Sequence, residues 1–150
     1  MKKMLTLFSA LLFCSHSLSP AFASDDPIHP LDTAHEKCVA LDGSTLGMKQ
    51  CNAKFEKLWD QELNKHYQLL GGNKKPELVK TQLAWIKFRD TEFAYINAYY
   101  AQIYDESGGG TMWGLLASSD RMSVVRKRAL TLRGLYYFKK CGMTGDCDEQ

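Results

Sequence analysis

Residues 45–70, TLGMKQCNAKFEKLWDQELNKHYQLL, decide the fold class. Apolar side chains fall at Met48, Cys51, Phe55, Leu58, Trp59, Leu63, Tyr67 and Leu70. Steps of three and four draw one stripe down a helix of 3.6 residues per turn. Lys49, Lys54, Lys57, Asp60, Gln61 and Lys65 occupy the other side. Ser44 or Thr45 supplies an oxygen to cap the first turn. Gly71-Gly72-Asn73 stops the helix, because glycine takes the left-handed terminal conformation without a steric penalty.

Working outward, Pro76 suits the first turn of a second helix. Leu78, Val79, Leu83, Ile86, Phe93, Ile96, Tyr100 and Ile103 form its inward face, and it is expected to end near Tyr104. A short connection between two long amphipathic helices predicts that they pack antiparallel. Ser107-Gly108-Gly109-Gly110-Thr111 breaks the pattern. Met112 to Ala117 reads as a short helical turn, and Ser119 or Asp120 as the start of a third helix. That helix turns Met122, Val125, Ala129, Leu132 and Leu135 or Tyr136 inward. No strand alternation of useful length and no internal repeat is present. The expected fold is all-α, a compact antiparallel bundle of three main helices.

The N-terminal stretch, residues 1–23, reads as a signal peptide. Lys2 and Lys3 precede an apolar run from Met4 to Cys14, and Ala21-Phe22-Ala23 supplies the small-x-small pattern before Ser24. The run is shorter than the ~20 apolar residues a membrane span needs. Phe13 argues against a lipid anchor on Cys14, which calls for a small preceding residue. Residues 24–44 read as an irregular leader: Pro27 and Pro30 break helices, and Asp25, Asp26, Asp42 and Gly43 favour turns. Residues 45–150 form the helical domain, with a disulfide-closed tail from Cys141. Lys2 and Lys3 account for the excess of 19 basic over 17 acidic residues, so the mature chain is balanced. A neutral chain has no long-range field to draw it to nucleic acid. The expected location is the periplasm or the exterior, with no membrane span in the mature form.

Four cysteines follow the leader: Cys38, Cys51, Cys141 and Cys147. In an exported chain an even count implies two disulfides, with three possible connectivities. The local pairs Cys38–Cys51 and Cys141–Cys147 are favoured. Zinc would call for tight Cys-x-x-Cys spacing, and neither pair has it. No metal or cofactor is implied.

Two motifs carry a family resemblance. Shortly after Cys51 comes Asp60-x-Glu62-Leu63-Asn64-x-x-Tyr67-x-x-Leu70. The second helix carries Leu78-x-x-x-Gln82-x-x-Trp85-Ile86-x-Phe88-Arg89-Asp90-x-Glu92. Together, over roughly Cys38 to Leu132, they resemble the LprI-like lysozyme inhibitors, small exported bacterial domains. Members of that family often have a cysteine where Phe93 stands and another near Ser119. Both are missing here, which implies Cys38–Cys51 as the retained family pair and Cys141–Cys147 as an addition. The resemblance implies a non-catalytic binding protein that inhibits a lysozyme-like muramidase and so protects peptidoglycan. The alternative is an envelope structural or scaffold protein that binds another protein or peptidoglycan without inhibition.

Tyr104-Asp105-Glu106-Ser107-Gly108-Gly109-Gly110-Thr111-Met112-Trp113 is the leading candidate partner-binding segment. It joins two carboxylates and a serine to a pliable backbone, and it resembles the Ser-Gly loops that unrelated lysozyme inhibitors insert into the substrate cleft. A helix stop with a flexible connector is the competing reading. The Gln82, Trp85, Arg89 and Glu92 row shares one helix face. It reads better as structure, with Trp85 in the core and Arg89 paired to a carboxylate such as Glu62, than as a recognition stripe. Arg126, Arg133 and Lys140 recur every seven residues and read as a solvated basic face. Phe93, Tyr95, Tyr99, Tyr100 and Tyr104 are candidates for stacking on sugar rings, with Phe93 and Tyr100 sharing the inward face. Catalysis has no support: His29 and His35 lie in the leader, His66 is expected to face solvent, and no Ser-His-Asp, Cys-His or His-Glu-x-x-His order occurs.

Overall fold

The computed structural model describes residues 28–145, and the elements among them are all helical. Helix α1 spans Pro30–Leu41, α2 Thr45–Leu69, α3 Pro76–Glu106 and α4 Thr111–Thr144, with one 3-10 turn at Gly72–Lys74 between α2 and α3. The signal-peptide reading of residues 1–23 and the Cys147 half of the second expected disulfide fall outside the described residues.

The α2 stripe read from the sequence is the core. Phe55, Trp59, Leu63 and Tyr67 on α2 form one buried cluster with Met122, Val125, Ala129 and Leu132 on α4. Ser44 caps α2, its Oγ accepting from Gly47 N at 3.0 Å. Left-handed Gly71 and Gly72 follow its end, with φ of 118° and 50°. The pairing of α2 with α3 needs correction. α2 packs chiefly on α4, and α3 lies mainly against α4. Only Gln82 and Ile96 of α3 are fully buried, and Leu83, expected inward, is 63% exposed.

Cross-helix contacts give the directions. Asn52 meets Ser118, Glu56 meets Arg121, and Trp59 meets Arg126, so α2 and α4 run parallel. Tyr100 meets Asp120 while Gln82 meets Arg128, so α3 runs antiparallel to α4. α4 is also longer than expected. The turn read over Met112–Ala117 and the third helix read from Ser119 or Asp120 are one helix, with both residues in its interior, and Ser118 Oγ bonds back to Leu115 O at 2.7 Å within it. At the far end, α4 includes Cys141 and stops at left-handed Gly145.

The irregular leader proposed for residues 24–44 is also corrected, because Pro30–Leu41 is a helix. Pro30 stands at its first turn, where a missing N–H costs nothing. α1 buries no residue completely and is held by specific links. Cys38 is bonded to Cys51. Arg126 donates two hydrogen bonds to the Asp32 carboxylate, at 2.7 and 2.6 Å. His35 Nε2 lies 2.8 Å from Asn52 Oδ1, and Asn52 Nδ2 donates to Ser118 Oγ at 2.9 Å. That polar chain joins α1, α2 and α4.

At the start of α1, His29 Nδ1 accepts from Leu31 N at 3.1 Å. Its ring packs 4.6 Å from that of fully buried Trp59, and the Arg126 guanidinium lies 5.4 Å from the same indole. His29 Nε2 lies 3.5 Å from Glu62 Oε1. His66, expected at the surface, is 1% exposed, and its Nδ1 donates to Glu62 O at 3.1 Å. Burial holds both histidines below their ordinary value, with Arg133 adding to the effect and Glu62 opposing it.

Two outcomes follow for stability. A histidine with a depressed folded value binds fewer protons folded than unfolded. Its contribution is therefore full above the ordinary 6.5 and is lost as pH falls below it. The Tm of the mature chain should drop between about pH 6.5 and pH 5, and His66→Gln should flatten that slope in a pH series of thermal melts. Separately, Trp59→Ala should cost roughly 3–5 kcal/mol in urea unfolding through lost burial and a residual cavity.

Candidate functional site

The α3–α4 connection, which the sequence offers as a pliable segment, is closed on itself by hydrogen bonds. Gly108, Gly109 and Gly110 all have positive φ, 74°, 106° and 121°, a region where a side chain would be strained. Gly109 N donates to Tyr104 O at 2.8 Å. Trp113 Nε1 donates to Ser107 Oγ at 2.8 Å and to Gly109 O at 3.2 Å. Ser107 Oγ in turn faces Tyr104 O and Gly109 O at 3.3 and 3.2 Å. The Ser107 hydroxyl is therefore engaged inside the turn, not held ready for a partner. Tyr104, Asp105, Glu106, Gly108, Gly110 and Thr111 are exposed, so the closed turn still presents a surface.

Because α2 and α4 run parallel, this turn sits beside the start of α2. Thr111 Oγ1 lies 3.2 Å from Thr45 Oγ1. A groove of about 380 Å³ runs between them, lined by Thr45, Leu46, Lys49, Tyr104, Gly110 and Gly114. A second, of about 430 Å³, adjoins Tyr104, Asp105 and Trp113 and reaches Tyr100 and Arg121. Gly110 caps α4 without any side-chain hydrogen bond. The first N–H groups of a long helix are unpaired within it and carry its positive dipole end. The candidate site thus combines a helix start without a side-chain cap, a hydrogen-bonded glycine tip and exposed carboxylates at Asp105 and Glu106.

Nothing in the sequence reading brings Thr45, Leu46, Lys49 and Gly114 to this site. Their place in the site comes from parallel packing across more than sixty residues, which no local pattern encodes. Gly114 faces Lys49 across the two helices. A Cβ there would stand 3.0 Å from Lys49 Nζ, the far end of a flexible side chain.

The family-motif residues do other work. Tyr67 donates to Asn73 Oδ1 at 2.9 Å and pins the α2–α3 connection. Gln82 Oε1 accepts from Arg128 Nε and Nη2 at 3.2 and 3.0 Å. Trp85 is partly buried against the core, with Arg89 at 5.4 Å and Arg128 at 6.0 Å from its ring. Asn64 bonds back to Asp60, and Phe88 is exposed. Arg89 pairs with Asp90 at 2.7 Å and not with Glu62, whose carboxylate faces His29, Lys65 and His66. A groove of about 500 Å³ between α2 and α3 brings Asp60, Arg89 and Asp90 together. The basic seven-residue stripe is not an open face, since Arg126 is taken up by Asp32 and Arg133 lies over the Tyr137 ring.

The turn's clamp can be tested directly. Trp113→Phe removes the indole donor while keeping an aromatic ring, and should cost about 1 kcal/mol. Amide exchange at Gly108 to Gly110 should quicken while the α2–α4 core stays protected.

The family described as lysozyme inhibitor LprI matches residues 38–132, a stretch holding the Cys38–Cys51 disulfide, α2, α3, the turn and most of α4. No curated protein and no solved structure matches the chain.

Proposed function

The chain belongs to the LprI lysozyme-inhibitor family, and on that premise we propose that it is exported by cleavage of residues 1–23 and inhibits a lysozyme-like peptidoglycan hydrolase in the periplasm by occlusion, without catalysis. The observation that carries this reading is the preformed turn at one end of the bundle. Three left-handed glycines are locked by Trp113 and Ser107 beside the uncapped start of α4. A binding element ordered before contact avoids the entropy of ordering on association.

The chemistry of the target fits this end of the molecule. Hydrolases of glycosidic bonds carry a pair of carboxyl groups in their cleft. The free N–H groups at the start of α4 are suited to a carboxylate, for the same reason that helix starts bind phosphate. The glycine tip has no side chains to obstruct approach. Asp105 and Glu106 meet basic residues at the rim of the cleft and raise the rate of encounter. Export also fits the Cys38–Cys51 disulfide, which persists in oxidising compartments.

Purified residues 24–150 should lower the rate at which a panel of lysozymes clears peptidoglycan. Thr111→Glu places a competing carboxylate at the start of α4, where it suits the helix dipole, so Tm should hold while inhibition falls at least about tenfold. Full inhibition by a variant with residues 106–111 replaced would remove the turn from the mechanism.

A further inference from the structure

On the opposite side of Tyr100 from the turn, α3 and α4 enclose a separate shallow groove of about 270 Å³. Its walls carry Tyr95, Tyr99, Tyr100, Asp120, Ser123 and Lys127, and Ile96 closes its floor. Tyr95 and Tyr99 sit one helical turn apart with ring centroids at 6.0 Å and planes 26° apart. They remain 63% and 47% exposed, although each could bury a large apolar surface. Tyr99 meets Tyr100 edge-on at 5.3 Å. The Tyr100 hydroxyl donates to Asp120 Oδ2 at 2.7 Å, which fixes that carboxylate at the groove's edge. The same bond pushes the Tyr100 phenol up to about 12.

We propose that this groove binds a strand of N-acetylated sugar rings, with Tyr95 and Tyr99 as the stacking platform and Asp120 and Ser123 as hydrogen-bonding edge. The match is one of surfaces. A pyranose ring has a flat face of C–H bonds and a rim of hydroxyls. Exposed aromatic rings suit the first, and fixed carboxylate and hydroxyl groups suit the second. An acetamide adds an N–H for Asp120 or Glu92 and a methyl group for a tyrosine face. The groove is smaller than the roughly 300–1,000 Å³ of sites that engulf a small molecule, which suits an extended polymer laid across it. Single-stranded nucleic acid also stacks on aromatics, but it needs a basic track. Here Glu92 and Asp120 oppose the one cation, Lys127. An apolar peptide helix would find only Ile96 and Val124 as aliphatic contacts.

This site is independent of the turn and of inhibition. Together the two would hold the protein on the polymer its target cleaves. The test titrates residues 24–150 with N-acetylglucosamine tetramer, with cellotetraose and a short single-stranded oligonucleotide as comparisons. Saturable binding of the acetylated tetramer at about millimolar Kd or tighter is expected, with amide shifts confined to 92–100 and 120–127. Tyr95→Ala/Tyr99→Ala should weaken it at least about tenfold, and Asp120→Asn should weaken it with both tyrosines in place. Both variants should keep wild-type helicity, and the double alanine variant should inhibit lysozyme as before. No saturation up to about 10 mM, unchanged affinity in the double variant, equal binding of cellotetraose, or preference for the oligonucleotide would each overturn the assignment.

Discussion

The parallel packing of α2 on α4 around the buried Trp59 is the constraint on which the rest of the molecule depends. Trp59 and Ala129 are both fully covered within one cluster, one large and one small. That alternation lets two long helices lie close. Because the helices run in the same direction, the start of α4 is carried to the start of α2. The glycine turn is thereby braced by Thr45 and Lys49 and does not project from the end of α3 unsupported. Antiparallel packing of the same two helices would have left the turn next to the α2–α3 connection.

The seam was the most legible part of the chain. Phe55, Trp59, Leu63 and Tyr67, and Met122, Val125, Ala129 and Leu132, recur at three- and four-residue steps and all are buried. Periodicity reports a face, but not which partner covers it. That is why the α2–α3 pairing expected from a short connection gave way to α2 on α4. α1 was hidden for a different reason. Its prolines look like breakers when the first-turn position of Pro30 is unknown, and its attachment is polar. Asp32, His35 and Cys38 find Arg126, Asn52 and Cys51, partners no window of local sequence contains. His66 was misjudged similarly, since its neighbours in space, Tyr136 and Tyr137, come from the far end of α4.

The segment the sequence offers as the candidate contact is closed on itself in the structure. Three glycines in a row read as freedom. The structure spends that freedom on three successive left-handed residues, closed by the Trp113 indole. The motif that signals the family serves the frame instead: Tyr67 pins a connection and Gln82 receives Arg128. Tyr100 divides the surface here, with the grooves beside the turn on one side and the tyrosine groove on the other.

Inhibition by occlusion as proposed requires that the target be touched at the turn end of the bundle. Hydrogen-exchange mapping of residues 24–150, alone and saturated with a lysozyme they inhibit, tests it most directly. Slowed exchange is expected at residues 108–114 together with the first turn of α2. Slowing confined to α1 or to the far end of α4, with the turn unchanged, would contradict it.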